Sequence, residues 1–127
     1  MIILGHGIDI VDIARIERSL AEYGDRFRDR VYTPTESGYC GDSKRPGPHF
    51  AVRFAAKEAT FKALGTGWRS GIAWTDVEIV NLPSGAPSLR IRGEAERIAR
   101  QLGIVSWLVS LSHTDHTATA SVLAIGA

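Results

Sequence analysis

Two acidic residues in apolar surroundings are the first candidates for chemistry in this chain. Asp9 lies between Ile8 and Ile10 in a segment rich in β-branched residues, and Glu58 lies in a segment with a strong helical period. A carboxylate near a buried strip needs a cation, hydrogen-bond donors or a metal ion, because its desolvation is otherwise costly. Two separated carboxylates with basic residues nearby suit Mg²⁺, which prefers hard oxygen ligands and completes its shell with water and substrate phosphates.

Both carboxylates also have ordinary interpretations. Glu58 and Lys62 are spaced i,i+4, so on a helix they could form an exposed ion pair worth about 0.2–0.5 kcal/mol. Asp9 could instead be a capping residue or a partner of a basic side chain. The residue pattern alone does not place Asp9 beside Glu58, so the ordinary interpretations and the metal site both remain open.

Basic residues are concentrated between positions 43 and 75. This window holds six Lys and Arg residues against one acid, Glu58, for a charge of +5, whereas the rest of the chain holds nine bases and thirteen acids, for −4. The window could attract a phosphorylated ligand, or it could be a solvated basic loop and helix. Its aromatic residues are mainly phenylalanines suited to a core, so nucleic-acid binding is not favoured.

Other catalytic and binding motifs are absent or lack the right context. The chain has no GxxxxGK[ST] segment, and the Gly-Thr-Gly at 65–67 follows a predicted helix instead of a strand, so neither a P-loop nor a dinucleotide fingerprint is indicated. His113 and His116 with one distant cysteine make a poor zinc site. Ser112 and His113 are strand neighbours that point to opposite faces, which disfavours a pair of nucleophile and base.

Residues 1–127 are expected to form one α+β domain. The length suits a single core, and a composition of 44% hydrophobic and 23% charged residues excludes a disordered chain. Helical periods early and alternating segments late favour helices packed with an antiparallel sheet. The expected strands lie at 2–11, 76–80, 88–92, 104–113 and 118–125. The expected helices lie at 13–23, 26–30, 34–40, 50–64 and 94–102.

The segment 50–64 has the clearest helical pattern. At about 100° per residue, Phe50, Phe54 and Phe61 form one apolar stripe. A second arc has small residues on which another backbone could lie closely. Its members are Val52, Ala55, Ala56, Ala59 and Ala63. Glu58 and Lys62 fall in the narrow polar gap between the two arcs, so we expect this helix to be covered on two sides. The residues before it, 41–48, are expected to form a loop.

Several local expectations follow from neighbouring segments. The first strand is expected to be buried, and Asp12 to cap the helix that follows. Tyr23 is expected on the apolar face of that helix. The segment 33–36, Thr-Pro-Thr-Glu, has the form of a capping box with proline in the first helical position. Alternation in the strand 104–113 places Val105 and Trp107 on one face.

The chain is expected to be a soluble cytoplasmic protein. Its one cysteine, Cys40, cannot form an internal disulfide. The first residues lack the basic leader of a signal peptide, and no long uncharged apolar run predicts a membrane-spanning helix.

Three segments together resemble a known enzyme family. They are GIDIV at 7–11, FAAKEATFKALGTG at 54–67 and SLSHT at 110–114, with Asn81 and the Gly-x-Pro of 85–87 in addition. The combination is similar to the holo-[acyl-carrier-protein] synthase family, the short type of the 4′-phosphopantetheinyl transferase superfamily. The resemblance covers essentially the whole chain, and the pairing of G-[IV]-D with F-x-x-K-E-x-x-x-K is specific only in combination.

The resemblance implies an α+β fold that assembles as a homotrimer, with active sites at the subunit interfaces. It implies transfer of 4′-phosphopantetheine from coenzyme A to a serine of apo-acyl carrier protein. Adenosine 3′,5′-bisphosphate would be released, Mg²⁺ would be required, and the reaction would serve fatty acid biosynthesis. Nucleic acid and membrane are not expected partners.

The resemblance also implies roles for particular residues. Asp9 and Glu58 would be the Mg²⁺ ligands, and Lys62 would lie against the phosphates. Glu58, directly or through water held near Asp9, would accept the serine proton. Further residues would contact coenzyme A at its phosphates, adenylate end and nucleotide pocket. These are Lys44, Arg45, Arg53, Gly65, Gly67, Asn81, Gly85, Pro87 and His113.

Acyl carrier proteins are acidic, so exposed bases on or after the first helix are candidates for binding them. These are Arg15, Arg18 and Arg26. The alternative is a solvated helix face in which these bases pair with Glu17 and Glu22. A second function is also compatible with these residues: a non-catalytic module that binds coenzyme A or an acidic protein through the basic window.

Overall fold

A computed structural model describes residues 1–69 and 71–127. The glycine-rich segment after the helix predicted at 50–64 is expected to form a turn, and its Ser70 lies outside the described residues. The strands are β1 Ile2–Asp12, β2 Val77–Asn81, β3 Pro87–Ile91, β4 Ile104–His113 and β5 Thr117–Gly126. The helices are α1 Ile13–Tyr23, α2 Asp25–Val31, α3 Pro34–Gly41, α4 Pro46–Ala63 and α5 Gly93–Gln101. A 3₁₀ turn at Trp74–Asp76, which the sequence did not predict, precedes β2. Within the described ranges, none of the helices has the length and apolar character needed to span a bilayer.

Two antiparallel sheets form the β part of the fold. The larger has the order β1-β5-β4, and the smaller is the hairpin of β2 and β3. β5 is the central strand, in which Ala118, Ala120, Val122 and Ala124 are buried against the helical side. Helices packed with antiparallel strands agree with the predicted α+β class.

Helix α4 lies directly on β1 because both elements present small residues. A Cβ added to Gly5 would collide with the carbonyl oxygen of Ala63, and one added to Gly7 would collide with that of Ala59. The prediction that another backbone lies on the small-residue arc of this helix is therefore confirmed. Since alternate strand residues share a face, Asp9 is directed toward α4 together with Gly5 and Gly7.

The other side of α4 is fixed by buried charge. The Nζ of Lys57, a fully buried side chain, donates to Glu36 Oε1 at 2.8 Å and also to the Val77 carbonyl. Glu36 accepts two more hydrogen bonds, from the backbone N–H groups of Thr33 and Ile79, both at 2.9 Å. This network joins α3, α4 and β2, so it limits rotation of α4 about its axis.

The expectation that β1 is a buried strand is wrong for one of its faces. Ile8 is 59% exposed and Ile10 is 69% exposed, because none of the elements in residues 1–69 and 71–127 covers the side of the sheet that faces away from α4. The prediction that Val105 shares a face with Trp107 is also wrong. The strand register is irregular between Ile104 and Ser106, and this irregularity leaves Val105 69% exposed.

Three predicted details at helix ends are also corrected. Helix α4 begins at Pro46 instead of Phe50, because proline is tolerated in the first turn, where the missing N–H has no helical partner. Asp12 occupies the N-cap position of α1, but its side chain makes no capping hydrogen bond. Tyr23, at the end of α1, is 54% exposed. The capping box of Thr33 and Glu36 is confirmed.

Candidate active site

The structure brings Asp9 and Lys62 into contact. Lys62 Nζ lies 3.1 Å from Asp9 Oδ1 and donates to the Ile8 carbonyl oxygen at 2.9 Å. The Asp9 side chain is 17% exposed and that of Lys62 is 50% exposed, so the pair lies at the edge between core and solvent. In the single chain, Asp9 therefore pairs with a basic side chain, which is one of its two ordinary interpretations. The alternative pair of Glu58 with Lys62 does not occur among the described residues.

Glu58 belongs to the same cluster. Its carboxyl is half-buried on α4, and its pKa is raised above the usual value, first by desolvation and then by the negative charge of Asp9. Lys62 and Arg15 act in the opposite direction. The three residues expected to carry the chemistry, Asp9, Glu58 and Lys62, therefore lie together although they come from distant parts of the sequence.

Two neighbouring carboxylates form a donor set suited to a hard divalent cation. Mg²⁺ prefers oxygen ligands and commonly takes only one or two carboxylates, the other positions being filled by water and substrate phosphates. Residues 1–69 and 71–127 contain no cluster of three His, Cys, Asp or Glu side chains that could hold a metal without such help. Asp9 and Glu58 therefore fit a cation that is shared with a phosphorylated substrate.

A second group of predicted residues lines a cavity of about 300 Å³ between α3, α4, β4 and the β2–β3 hairpin. The predicted nucleotide-pocket residues that line it are Arg53, Asn81, Gly85, Pro87 and His113. Tyr39 and His49 line the same cavity and were not predicted. His49 precedes Arg53 by four residues, which places both on one face of a helix, so the spacing was a usable signal.

Arg53 is a buried cation without a carboxylate partner. It is 3% exposed, its Nη2 donates to Asn81 Oδ1 at 2.9 Å, and its Nη1 donates to the His49 carbonyl oxygen at 3.2 Å. Its guanidinium lies 4.5 Å from the centre of the Tyr39 ring. Its Nε is buried without a hydrogen-bond partner, and none of the ion pairs among residues 1–69 and 71–127 includes it. An uncompensated buried charge is unfavourable, so this cavity favours an anionic ligand.

The remaining predicted residues flank α4 at its two ends. Gly65 and Gly67 follow the helix with φ values of +78° and +58°, which favour glycine. Lys44 and Arg45 precede the helix and are exposed. Arg45 donates to the Asp115 carbonyl oxygen at 3.0 Å, which places it beside the β4–β5 turn that follows His113.

The two clusters lie on different faces of the same helix. Arg53 and Glu58 are five residues apart on α4, which corresponds to about 140° around the axis and about 7.5 Å along it. One face meets β1 with Asp9, and the other faces the cavity with Asn81. The single chain therefore does not join the carboxylate cluster to the anion cavity.

The three predicted carrier-binding arginines are exposed. The guanidinium of Arg15 on α1 lies 5.7 Å from the centre of the Phe54 ring. Arg26 lines a cavity of about 500 Å³ whose other walls are Tyr23, Phe27 and Arg30. In the part of the chain that the structure describes, neither Arg15 nor Arg18 forms the ion pair with a nearby glutamate that the solvated-face alternative expects.

Comparison with known proteins identifies the class of protein to which this fold and these two clusters belong. Residues 5–120 match the family model described as the 4′-phosphopantetheinyl transferase superfamily, so the chain belongs to this superfamily. Two relatives, from Koribacter versatilis and Geobacter sp., are named holo-[acyl-carrier-protein] synthase. Each is 47% identical over 121 residues, covering 95% of this chain and 97% of the relative. The family predicted from the motifs, and its enzyme class, are confirmed.

Solved structures agree with this assignment. The holo-[acyl-carrier-protein] synthase of Helicobacter pylori, solved in complex with coenzyme A, has a TM-score of 0.84 and 32% identity, covering 94% of this chain and 99% of that one. The Neisseria meningitidis synthase has a TM-score of 0.87 and 34% identity, covering 98% and 99%. Similarity over nearly the whole length confirms the predicted fold.

Proposed function

We propose that this enzyme transfers the 4′-phosphopantetheine group of coenzyme A to a serine hydroxyl of apo-acyl carrier protein and releases adenosine 3′,5′-bisphosphate. The observation that carries the proposal is the cluster of Asp9, Glu58 and Lys62, where two carboxylates and an ammonium meet at the edge of the core. The names of the relatives and the coenzyme A complex of the Helicobacter pylori synthase support the same substrates.

Asp9 and Glu58 would hold Mg²⁺, the one proposed cofactor, with the diphosphate of coenzyme A completing its shell. The raised pKa of Glu58 supports this, because two close carboxylates favour a cation between them. When bound, Mg²⁺ supplies neutralisation of the charge that develops on the diphosphate.

Lys62 provides a second positive charge for the same phosphates. Its Nζ is held by Asp9 and the Ile8 carbonyl in the single chain, and its side chain is half exposed. A bound diphosphate can therefore compete for this ammonium without opening the core. Because group transfer at phosphorus depends mainly on positioning and on charge stabilisation, Lys62 acts by orienting the diphosphate.

Glu58 is suited to accept the proton of the attacking serine. The serine oxygen forms a new bond to the phosphorus that carries pantetheine, and the bond from that phosphorus to the adenosine bisphosphate oxygen breaks. The serine proton passes to Glu58, directly or through water near Asp9. Unlike Asp9, Glu58 forms no ion pair among the described residues, so its oxygens are available to accept a proton.

The nucleotide end of coenzyme A would occupy the anion cavity of a second copy of the chain. Arg53 and His113 would meet its 3′-phosphate, Asn81 and the glycine-proline turn would contact the adenylate, and the bases before α4 would lie at the cavity entrance. The carboxylate cluster and the cavity lie on different faces of α4, so a site made by two copies is the arrangement that joins them.

A homotrimer is the assembly we propose for this purpose. The uncovered face of β1-β5-β4 carries exposed isoleucine and leucine side chains, among them Ile8, Ile10 and Leu108. Exposed apolar patches of this kind mark surfaces that associate. Head-to-tail contacts that close a ring give every copy one complete site.

The apo-acyl carrier protein would approach the exposed bases of α1 and α2. Arg15, Arg18 and Arg26 form no ion pair among the described residues, and Arg15 lies over the Phe54 ring. Opposite charges on the two proteins would speed their encounter and fix its orientation. A cytoplasmic location is also proposed, and the buried Cys40, whose thiol pKa burial raises to about 11, is consistent with a reduced, unreactive cysteine.

A mass-shift assay tests the proposed function. The chain is incubated with coenzyme A, Mg²⁺ and a panel of apo-acyl carrier proteins, and the carrier is expected to gain the mass of phosphopantetheine. A non-catalytic coenzyme A-binding module would bind without magnesium dependence and would leave the carrier mass unchanged. Absence of modification of every carrier by a folded sample supplied with Mg²⁺ would sink the proposal.

A further inference from the structure

Two histidines meet in the anion cavity, beside the buried arginine. The rings of His49 on α4 and His113 at the end of β4 have centroids 6.5 Å apart, and the His49 ring packs edge-on against Tyr39 at 5.8 Å. His49 and Arg53 are four residues apart on α4, so their side chains leave the same helix face. Both histidines and Arg53 line the same cavity.

The groups around His49 disfavour a positive charge on it when the cavity holds no ligand. Burial lowers the pKa of His49 below its usual value, and the positive charges of Arg53 and His113 lower it further. Asp42, an exposed acid after α3, lines a second cavity together with His49 and Tyr39. His49 is therefore neutral at pH 7 in the free chain.

A bound phosphate reverses this balance. Arg53 then has a counter-charge, and the anion adds a negative potential at every basic group of the cavity. His49 is the neutral base that lies next to Arg53, so it can take up a proton and donate a charge-assisted hydrogen bond. His113 already uses one ring nitrogen, since its Nδ1 lies 3.0 Å from the Thr114 carbonyl oxygen and must carry a proton to bond it.

We propose that the cavity binds its phosphorylated ligand together with one proton, and that His49 holds this proton in the complex. The inference deepens the proposed function and rests on its assignment of this cavity to the phosphates of coenzyme A. Ligand affinity then increases as the pH falls, by at most tenfold per pH unit for a single proton. His49 thus becomes a phosphate-binding residue that acts only once the ligand is present.

Calorimetry measures directly whether a proton is taken up when the ligand binds. Adenosine 3′,5′-bisphosphate is titrated into the protein at pH 7 to 7.5, with constant Mg²⁺, in buffers that differ in ionisation enthalpy. At this pH a phosphate monoester with a second pKa near 6 is already mostly doubly charged and contributes few protons of its own. We expect uptake of roughly half to one proton per site in the unchanged chain, and a three- to tenfold gain in affinity from pH 7.5 to 6.5.

Substitutions of single histidines identify the ring that takes up the proton. The His49→Gln chain should bind the ligand with almost no proton uptake and a flat pH profile. The control His116→Gln, an exposed histidine of the β4–β5 turn, should keep the full uptake. Uptake that survives His49→Gln, or that disappears only in His113→Gln, overturns the assignment to His49.

The proposed function and this inference can fail separately. A chain that modifies carrier proteins and binds the bisphosphate without proton uptake overturns this inference alone. A chain that neither binds the bisphosphate nor modifies any carrier protein overturns both.

Discussion

Glu58 has a carboxylate neighbour and a half-buried position, and these two properties make its role in transfer sensitive to loss of charge. Replacing it with glutamine keeps its size but removes a metal ligand and a base. We expect Glu58→Gln to lower transfer by about 10²- to 10⁴-fold, the usual contribution of a general base. The mass-shift assay measures this loss, and circular dichroism should show an unchanged fold.

A matched control uses another glutamate on an exposed helix. Glu96 on α5 pairs with Arg100 at 2.8 Å, far along the chain from the cluster. Glu96→Gln should leave the transfer rate within about twofold, because an exposed pair contributes under 1 kcal/mol. Full activity of Glu58→Gln would remove this residue from the mechanism.

Lys57 precedes Glu58 in the sequence, but its role is to stabilise the fold and not to take part in transfer. It is fully buried, and it neutralises Glu36 in the network that holds α4 against α3 and β2. Lys57→Met should lower the free energy of unfolding by about 3–5 kcal/mol, because it leaves a buried carboxylate without its cation. Urea unfolding measures this change. The exposed Lys44→Met should change stability by less than about 0.5 kcal/mol, and a loss of similar size in both variants would contradict the prediction.

The contact between β1 and α4 is the element-level feature that creates the carboxylate cluster. Gly7 lies against the Ala59 carbonyl, and Asp9 follows two residues later on the same face. Gly7→Ala should destabilise the protein by about 1–3 kcal/mol, the usual cost of overpacking, and should weaken transfer as Asp9 moves away from Glu58.

Gly38 provides the control for this substitution. It lies within α3 with open space around it, so alanine there should leave stability unchanged or raise it by about 0.5–1 kcal/mol through its better helix propensity. Thermal unfolding of both variants separates the effect of the steric collision at Gly7 from the effect of replacing a glycine by alanine where there is open space, at Gly38. Equal effects at Gly7 and Gly38 would mean that β1 and α4 do not touch as closely as described.

Most elements could be predicted because their signals are local. The capping box at Thr33 and the small-residue arc of α4 depend on neighbouring residues, and both were found in the structure. Lys57 was missed although it falls about 20° from Phe50 and about 40° from Phe61 on the helical wheel, which places it at the edge of the buried stripe. Its partner Glu36 is distant in sequence, and no local pattern connects the two.

The two clusters of the site could be predicted only in part, because they too depend on contacts between residues that are distant in sequence. Asp9 and Glu58 were singled out by residue type, but their meeting depends on how β1 lies on α4. Arg53 was assigned by resemblance alone, whereas its burial without a carboxylate partner became visible only in the folded chain. The role of His49 follows from the cavity shared by α3, α4 and β4.

At the scale of the whole molecule, the uncovered face of the large sheet is the surface that the proposed trimer would bury. Ile10 is 69% exposed, so a charge there costs the single chain little but opposes burial against another copy. If the chain forms the proposed trimer, Ile10→Glu should convert it to monomers in light scattering and should lower transfer in proportion. Ala21→Glu on the exposed side of α1 should remain trimeric. A fully active Ile10→Glu monomer would contradict the shared site.

Mixing two inactive variants tests whether each site uses two copies. Glu58→Gln damages the carboxylate cluster and Arg53→Met damages the anion cavity, and these lie on different faces of α4. If each site joins the cluster of one copy to the cavity of the next, every mixed ring contains one site with both halves intact. Equal amounts of the two chains, unfolded and refolded together, should therefore regain roughly a quarter of the unchanged activity. Each variant refolded alone should stay inactive, and its melting temperature should show that it folds. A mixture that stays as inactive as its components would place the complete site within one copy.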